Sequence, residues 1–205
     1  MALGQQGNLD ACGSGGSFCV LDGDEGPEPL LVAAGAGCAD YDDEEFGRGN
    51  INKTAVGNEK IGKSGIQKIL PGDKNDIYCG GAGYSEAPQV FNLAKECVPA
   101  TFSQGLTGGK GVSLTGEVTE GGFGGGGGCY VRNVNGEDKC YYGAGGGFTG
   151  GSTKVHNGKL EDEDGKYEEC HGGGGGSFSA DPDAKFEHYY VQDGYCKIKR
   201  RAFNQ

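Results

Sequence analysis

Forty-five of the 205 residues are glycine, about three times the usual ~7%. They gather in three tracts with no shared repeat length: GGFGGGGGC at 121–129, YYGAGGGFTGG at 141–151 and CHGGGGGS at 170–177. A Gly-Ser tract ordinarily reads as a flexible linker. These tracts are nearly pure glycine, broken by single aromatic residues and flanked by cysteines. The strict third-residue period of collagen is absent. An ordered alternative exists. Glycine in the polyproline II conformation makes no hydrogen bonds within its own helix. Its N–H and C=O groups point outward and can bond to neighbouring tracts. Only glycine allows that approach, because any Cβ would stand between the chains. Residues 124–128 alone would span about 15 Å at ~3.1 Å per residue.

Side chains do little to fill a core. Leu, Ile, Val and Phe together make 36 of 205 residues. That is below the ~20% at which disorder is usual, though the net charge of −11 is too small to complete that signature. A large aliphatic core and an ordinary helical bundle are excluded. No apolar run reaches the ~18 residues of a membrane span. The first residues, MALGQQGN, have neither a basic start nor a long apolar stretch, which fits a cut point inside a longer chain. A tract lattice needs support from a β scaffold and from cross-links.

Nine cysteines offer those cross-links: Cys12, Cys19, Cys38, Cys79, Cys97, Cys129, Cys140, Cys170 and Cys196. None forms C-x-x-C, so zinc and thioredoxin readings lose their usual spacing. Scattered cysteines in a core-poor chain indicate a secreted, disulfide-stapled domain, with a cytosolic thiol protein as the alternative. Two local pairings are expected. Cys129 and Cys140 flank Asn135-Gly136, a hairpin dipeptide, although their cross-strand register is off by a residue or two and asks for a longer loop or a bulge. Cys12 and Cys19 enclose the flexible GSGGSF loop. An odd count leaves one cysteine over.

Three stretches follow. Residues 1–34 read as β structure, with Val20-Leu21 and the 30–34 run LLVAA separated by Pro27 and Pro29. Residues 35–176 form a glycine-rich insertion. One helix is expected there, at 86–97, where Val90, Phe91, Ala94 and Cys97 approximate one face before Val98-Pro99 ends it. Residues 177–205 carry Tyr189, Tyr190, Val191 and Tyr195 and read as one or two terminal strands.

Chemistry motifs are sparse. Residues 57–64, GNEKIGKS, match the phosphate-loop pattern. That pattern works between a buried strand and a long helix, and neither flank supplies one. His156, His171 and His188 are isolated, and His171 beside Cys170 lacks a second ligand pair. No serine-hydrolase elbow or zinc-protease motif is present. The acidic runs at 40–45 and 161–164 lack the ligand order of a calcium loop and read as solvated faces. Such faces would steer a basic protein partner. Asn52-Lys53-Thr54 is a glycosylation sequon. No cofactor, metal or nucleic acid is expected.

The blocks GQQGNLDAC, PLLVAAGAG, GGFGGGGGC, a second tract ending in FTGG, and a terminal DGYCKIK occur in that order. This order resembles the glycine-rich extracellular region of the anaplastic lymphoma kinase and leukocyte tyrosine kinase receptors. The likeness runs from about residue 3 to 199, with variable stretches at 40–115 and 152–190. It implies a bundle of polyglycine helices inserted into a tumour-necrosis-factor-like β sandwich. It also implies an extracellular placement ahead of one membrane span and a cytoplasmic tyrosine kinase, so this fragment is not itself the enzyme. The implied partners are a secreted protein ligand and a second receptor copy, with no direct membrane contact. On charge and on the terminal strand, the ligand-facing candidates are Asp42, Asp43, Glu44, Glu45, Glu161, Asp162, Glu187, Tyr189 and Tyr195.

There are departures from the family pattern. The earlier sandwich strands are missing, and YVRNVNGEDKCY inserts a hairpin between two tracts. Tyr195 and Val191 stand where family members carry acidic ligand contacts, which points to a divergent, invertebrate-type receptor with a different ligand. A structural or ice-binding polyglycine protein is the rival class, but its flat repeat is absent. A viral tail-tip adhesin is a further one, and nine cysteines are unusual there.

Overall fold

The first hairpin arises where apolar and β-branched residues flank an acidic glycine turn. In the computed structural model β1 (Ser17–Gly23) pairs antiparallel with β2 (Gly26–Ala33). Gly26, at φ 114°, helps turn the chain between them. The structure describes residues 1–38, 47–56, 63, 65, 80–87, 97–134, 136–155 and 170–187. Pro27 and Pro29 lie inside β2 rather than separating the strands, a correction to the sequence reading. Pro29 opposes Val20 where the register shifts. The third strand, β9 (Phe178–Ser179), pairs only with Leu31 and Val32. The prolines therefore occupy the half of β2 without a ladder partner on that side among the described residues, where a missing N–H costs little.

The remaining strands are β3 (Lys110–Val112), β4 (Val118–Glu120), β5 (Tyr130–Val134), β6 (Glu137–Tyr141), β7 (Thr153–Val155) and β8 (Cys170–Gly172). They form one sheet in the order β4-β3-β5-β6-β8-β7. β5 and β6 pair from Tyr130–Tyr141 to Val134–Glu137. Only residues 135 and 136 are left to connect them, so the longer loop expected from the cysteine spacing is not needed. Gly136 takes φ 90°, and its N–H donates to Asn133 Oδ1 at 3.0 Å. Asn8 serves the outer edge of this sheet. Its side chain accepts from the Glu120 N–H at 2.7 Å and donates to the Val118 carbonyl at 3.2 Å, so it satisfies edge groups that would otherwise need water.

The side-chain core is small and largely aromatic. Phe18 and Val32 are cross-strand partners and fully buried with Leu106. Ala2, Tyr84, Phe102, Phe148 and Phe178 pack around them. Ring centroids lie 5.9 Å apart for Phe18 and Phe102, and 4.4 Å for Phe148 and Phe178, within the range where aromatic pairs attract beyond simple burial. The Lys53 ammonium sits 4.8 Å from the centre of the Phe178 ring.

The glycine tracts make a second core without side chains. Residues 143–147 are buried throughout and outside any strand. Their backbone bonds radiate to several other segments. Gly145 N–H donates to Gly173 O at 2.9 Å and Gly146 N–H to Ser14 O at 2.9 Å. Ala144 O accepts from Gly127 N–H, Gly145 O from Gly151 N–H and Gly146 O from Gly35 N–H, each at 2.8 Å. Gly81 extends the pattern to Gly151 and Gly65. A Cβ on Gly145 would stand 2.2 Å from the Gly35 carbonyl oxygen, so any other residue type there would force the backbone to shift. Among the described residues the protein is thus mainly β and tract structure with little α-helix. Residues 88–96 of the expected helix lie outside those described.

Leu106 joins the two cores. Its side chain enters the aromatic cluster, while its carbonyl accepts from Gly124 N–H at 2.7 Å and Gly125 N–H at 3.2 Å. It does so at φ 59°, a positive value for a non-glycine residue, of the kind held in place only by surrounding structure.

Candidate interaction surface

β1 and β2 alternate faces. With Phe18, Val32 and Phe178 turned to the core, their neighbours Cys19, Leu31 and Ser179 take the opposite face. Leu21 and Leu31 are 52% and 37% exposed, and Leu30, 40% exposed, stands between them where the register shifts. Around them stand acids. Asp22, Asp24, Glu25 and Glu28 are exposed on the β1–β2 hairpin, and Asp181, Asp183 and Glu187 are exposed after β9. The Ala180 N–H still donates to Leu30 O at 2.9 Å, which keeps the start of that acidic segment beside the hairpin.

Tyr84 fastens the hairpin to the insertion. Its hydroxyl donates to Pro27 O at 2.6 Å, and its ring stacks on Phe102 and Phe148. Burial of the ring, and then the negative charge of Glu28, push the phenol above its ordinary pKa. It stays neutral and able to donate. The surface that results is apolar residues rimmed by carboxylates on a sheet held from behind. Exposed apolar groups with a polar rim are the anatomy of a protein-docking surface.

Of the ligand-facing residues expected from sequence, Glu187 is described and exposed. Asp42, Asp43, Glu44, Glu45, Glu161, Asp162, Tyr189 and Tyr195 lie outside the described residues. The acids of the first hairpin were missed. Their signal was present as DGDEGPE, a turn sequence whose charges all stay at the surface. Of the phosphate-loop residues, 57–62 and 64 are likewise outside. Lys63 pairs with Glu86 at 3.3 Å. Asn52 is exposed, as a glycan would require, while its backbone carbonyl accepts from Ser177 N–H at 2.8 Å. His171 is buried on β8 and meets the Tyr142 ring edge-on at 5.7 Å. Among the described residues no group of three or more His, Cys, Asp or Glu is placed to hold a metal. No helix among them is long and apolar enough to cross a membrane.

The structure places the cysteines of the two expected local pairings differently. Cys12 Sγ lies 2.8 Å from Cys129 Sγ, both buried, across 117 positions of sequence. Cys140 instead opposes Val131 on the neighbouring strand, and Cys19 is on β1. Sequence proximity and spatial proximity differ here because the tract lattice, not the local loop, sets which segments meet.

Compared with known proteins, the chain matches no protein-family model and no curated relative.

Proposed function

We propose that the chain is the extracellular ligand-binding region of a receptor tyrosine kinase, of the anaplastic lymphoma kinase and leukocyte tyrosine kinase type. It receives a secreted protein ligand, and ligand binding pairs two receptor copies. The tracts act as polyproline-II-type polyglycine helices stapled by disulfides, in a single-pass receptor of the plasma membrane. One observation carries the reading. β2 ends at Ala33 and β9 begins at Phe178, yet they pair directly, with glycine tracts bonded to one another in the intervening insertion. A polyglycine bundle inserted between strands of one sheet is what the resemblance leads one to expect. The acidic, apolar-centred surface suits a basic protein ligand, since opposite charge speeds encounter and buried apolar groups slow release.

Two experiments test this hypothesis. Sequencing the full transcript should reveal a membrane span and a tyrosine kinase after this region, and a chain lacking both would sink it. Surface plasmon resonance of the immobilised chain against small basic secreted proteins should give saturable binding. Reversing Asp22, Asp24, Glu25 and Glu28 to lysine should slow association at low salt. Unchanged association would remove the electrostatic part, and thermal hysteresis in dilute solution would favour the ice-binding class instead.

A further inference from the structure

The first sixteen residues run along the tract that ends in Cys129. Gln5 N–H donates to Phe123 O at 2.9 Å, Asn8 N–H to Glu120 O at 2.9 Å, Gly13 N–H to Gly127 O at 2.9 Å and Gly16 N–H to Gly124 O at 3.0 Å. This bonding brings Cys12 and Cys129 together in the interior, where they are 4% and 0% exposed. Their sulfurs are 2.8 Å apart, closer than two unbonded sulfurs usually rest, so that less than about 1 Å of approach separates them from the ~2.05 Å of a disulfide. We infer that Cys12 and Cys129 form a disulfide that locks the N-terminal segment into the glycine lattice at the foot of β5.

The chemistry needs a small-molecule disulfide of the glutathione class as oxidant. The Cys12 thiolate attacks one sulfur of that disulfide, forming a mixed disulfide and releasing one small thiolate. Cys129 then loses its proton and attacks Cys12 Sγ. The Cys12–Cys129 bond forms, and the second small thiolate leaves. Two protein thiols are oxidised, and one small disulfide is reduced to two thiols. Where the two cysteines meet, the thiolate form of Cys12 is favoured. Hydrogen bonding from the Cys129 thiol lowers Cys12 from 9.0 to about 7, against desolvation, with help from the Cys129 backbone, Thr119 and the Leu9 backbone. Both sulfurs are buried once packed, so the exchange takes place before the N-terminal segment seats on its tract, and the closed bond is then shielded from reductant. The inference does not rest on the receptor reading. It needs only an oxidising compartment, and its failure leaves the ligand-binding test intact.

The whole chain, refolded in a glutathione redox buffer, is blocked with N-ethylmaleimide without reduction and cut with chymotrypsin. Cleavage after Leu9, Phe18, Phe123 and Tyr130 separates Cys12 from Cys19 and isolates Cys129. Mass spectrometry should find 10–18 linked to 124–130. A Cys12–Cys19 link, a link from Cys129 to any other cysteine, or alkylation of both overturns the assignment. As a second measurement, Cys12→Ser and Cys129→Ser should lower the melting temperature equally, and the double variant no further. Additive losses would also overturn it.

Discussion

The aromatic cluster and the glycine lattice solve the same problem by opposite means. Around Phe18 the interior is side-chain surface taken out of water, and the free energy grows with the area buried. Around Gly145 there is almost no side chain, and the interior is backbone donors and acceptors matched across tracts. Each such bond adds only about 1 kcal/mol net, whereas a buried group left unmatched costs more. The first region should suffer from atoms removed, and the second from atoms added. Leu106, with its side chain in one and its carbonyl in the other, is where the two modes meet.

The largest effect is expected from Phe18→Ala, at about 3–5 kcal/mol, read from the urea midpoint. A loss under about 1 kcal/mol would show that the aromatic cluster is not a core. Next comes Gly145→Ala, at about 3 kcal/mol, the upper part of the overpacking range, because the clash is with backbone that cannot rotate away. Ala144, fully buried in the same tract, shows that a methyl fits at a neighbouring position, so the effect should be specific to position. A neutral or stabilising Gly145→Ala would break the comparison.

A smaller effect concerns Cys12 in the reduced chain. Its folded pKa of about 7 is below the ordinary 9.0. The thiolate's contribution is therefore complete above about pH 9 and fades as pH falls through 7. With reductant present, the wild type should gain stability from pH 7 to 9 relative to Cys12→Ser. Parallel denaturation curves across that range would remove the point. The smallest effect belongs to Gly116→Ala, at about 1 kcal/mol. Gly116 has φ 80° with open space around it, so the cost is backbone strain alone. A loss equal to that of Gly145→Ala would mean that conformation, not close approach, governs both sites.

Much of the frame was legible locally. Asn135-Gly136 between alternating residues marked the β5–β6 hairpin, because positive φ at such a turn is cheap only for a few residue types. The apolar run at 30–33 marked β2. The acidic turn of the first hairpin was passed over in favour of longer acidic runs elsewhere, since charge counts do not reveal which carboxylates share a surface with exposed leucines. The cysteine partners were not legible at all. Cys12 meets Cys129 through backbone bonds from Gln5, Asn8, Gly13 and Gly16 to the 120–127 tract, and the equivalent glycines of that tract carry no register information.

The sequence by itself determined that this chain would be β-rich, poor in aliphatic core and built around ordered glycine tracts. Removing Cβ atoms leaves the backbone as the remaining packing material. The tertiary structure decided which tract lies against which, and with it the pairing of β2 to β9 and the approach of Cys12 to Cys129. That choice depends on directional N–H to carbonyl bonds among many equivalent glycines, and only the complete set of neighbours fixes it.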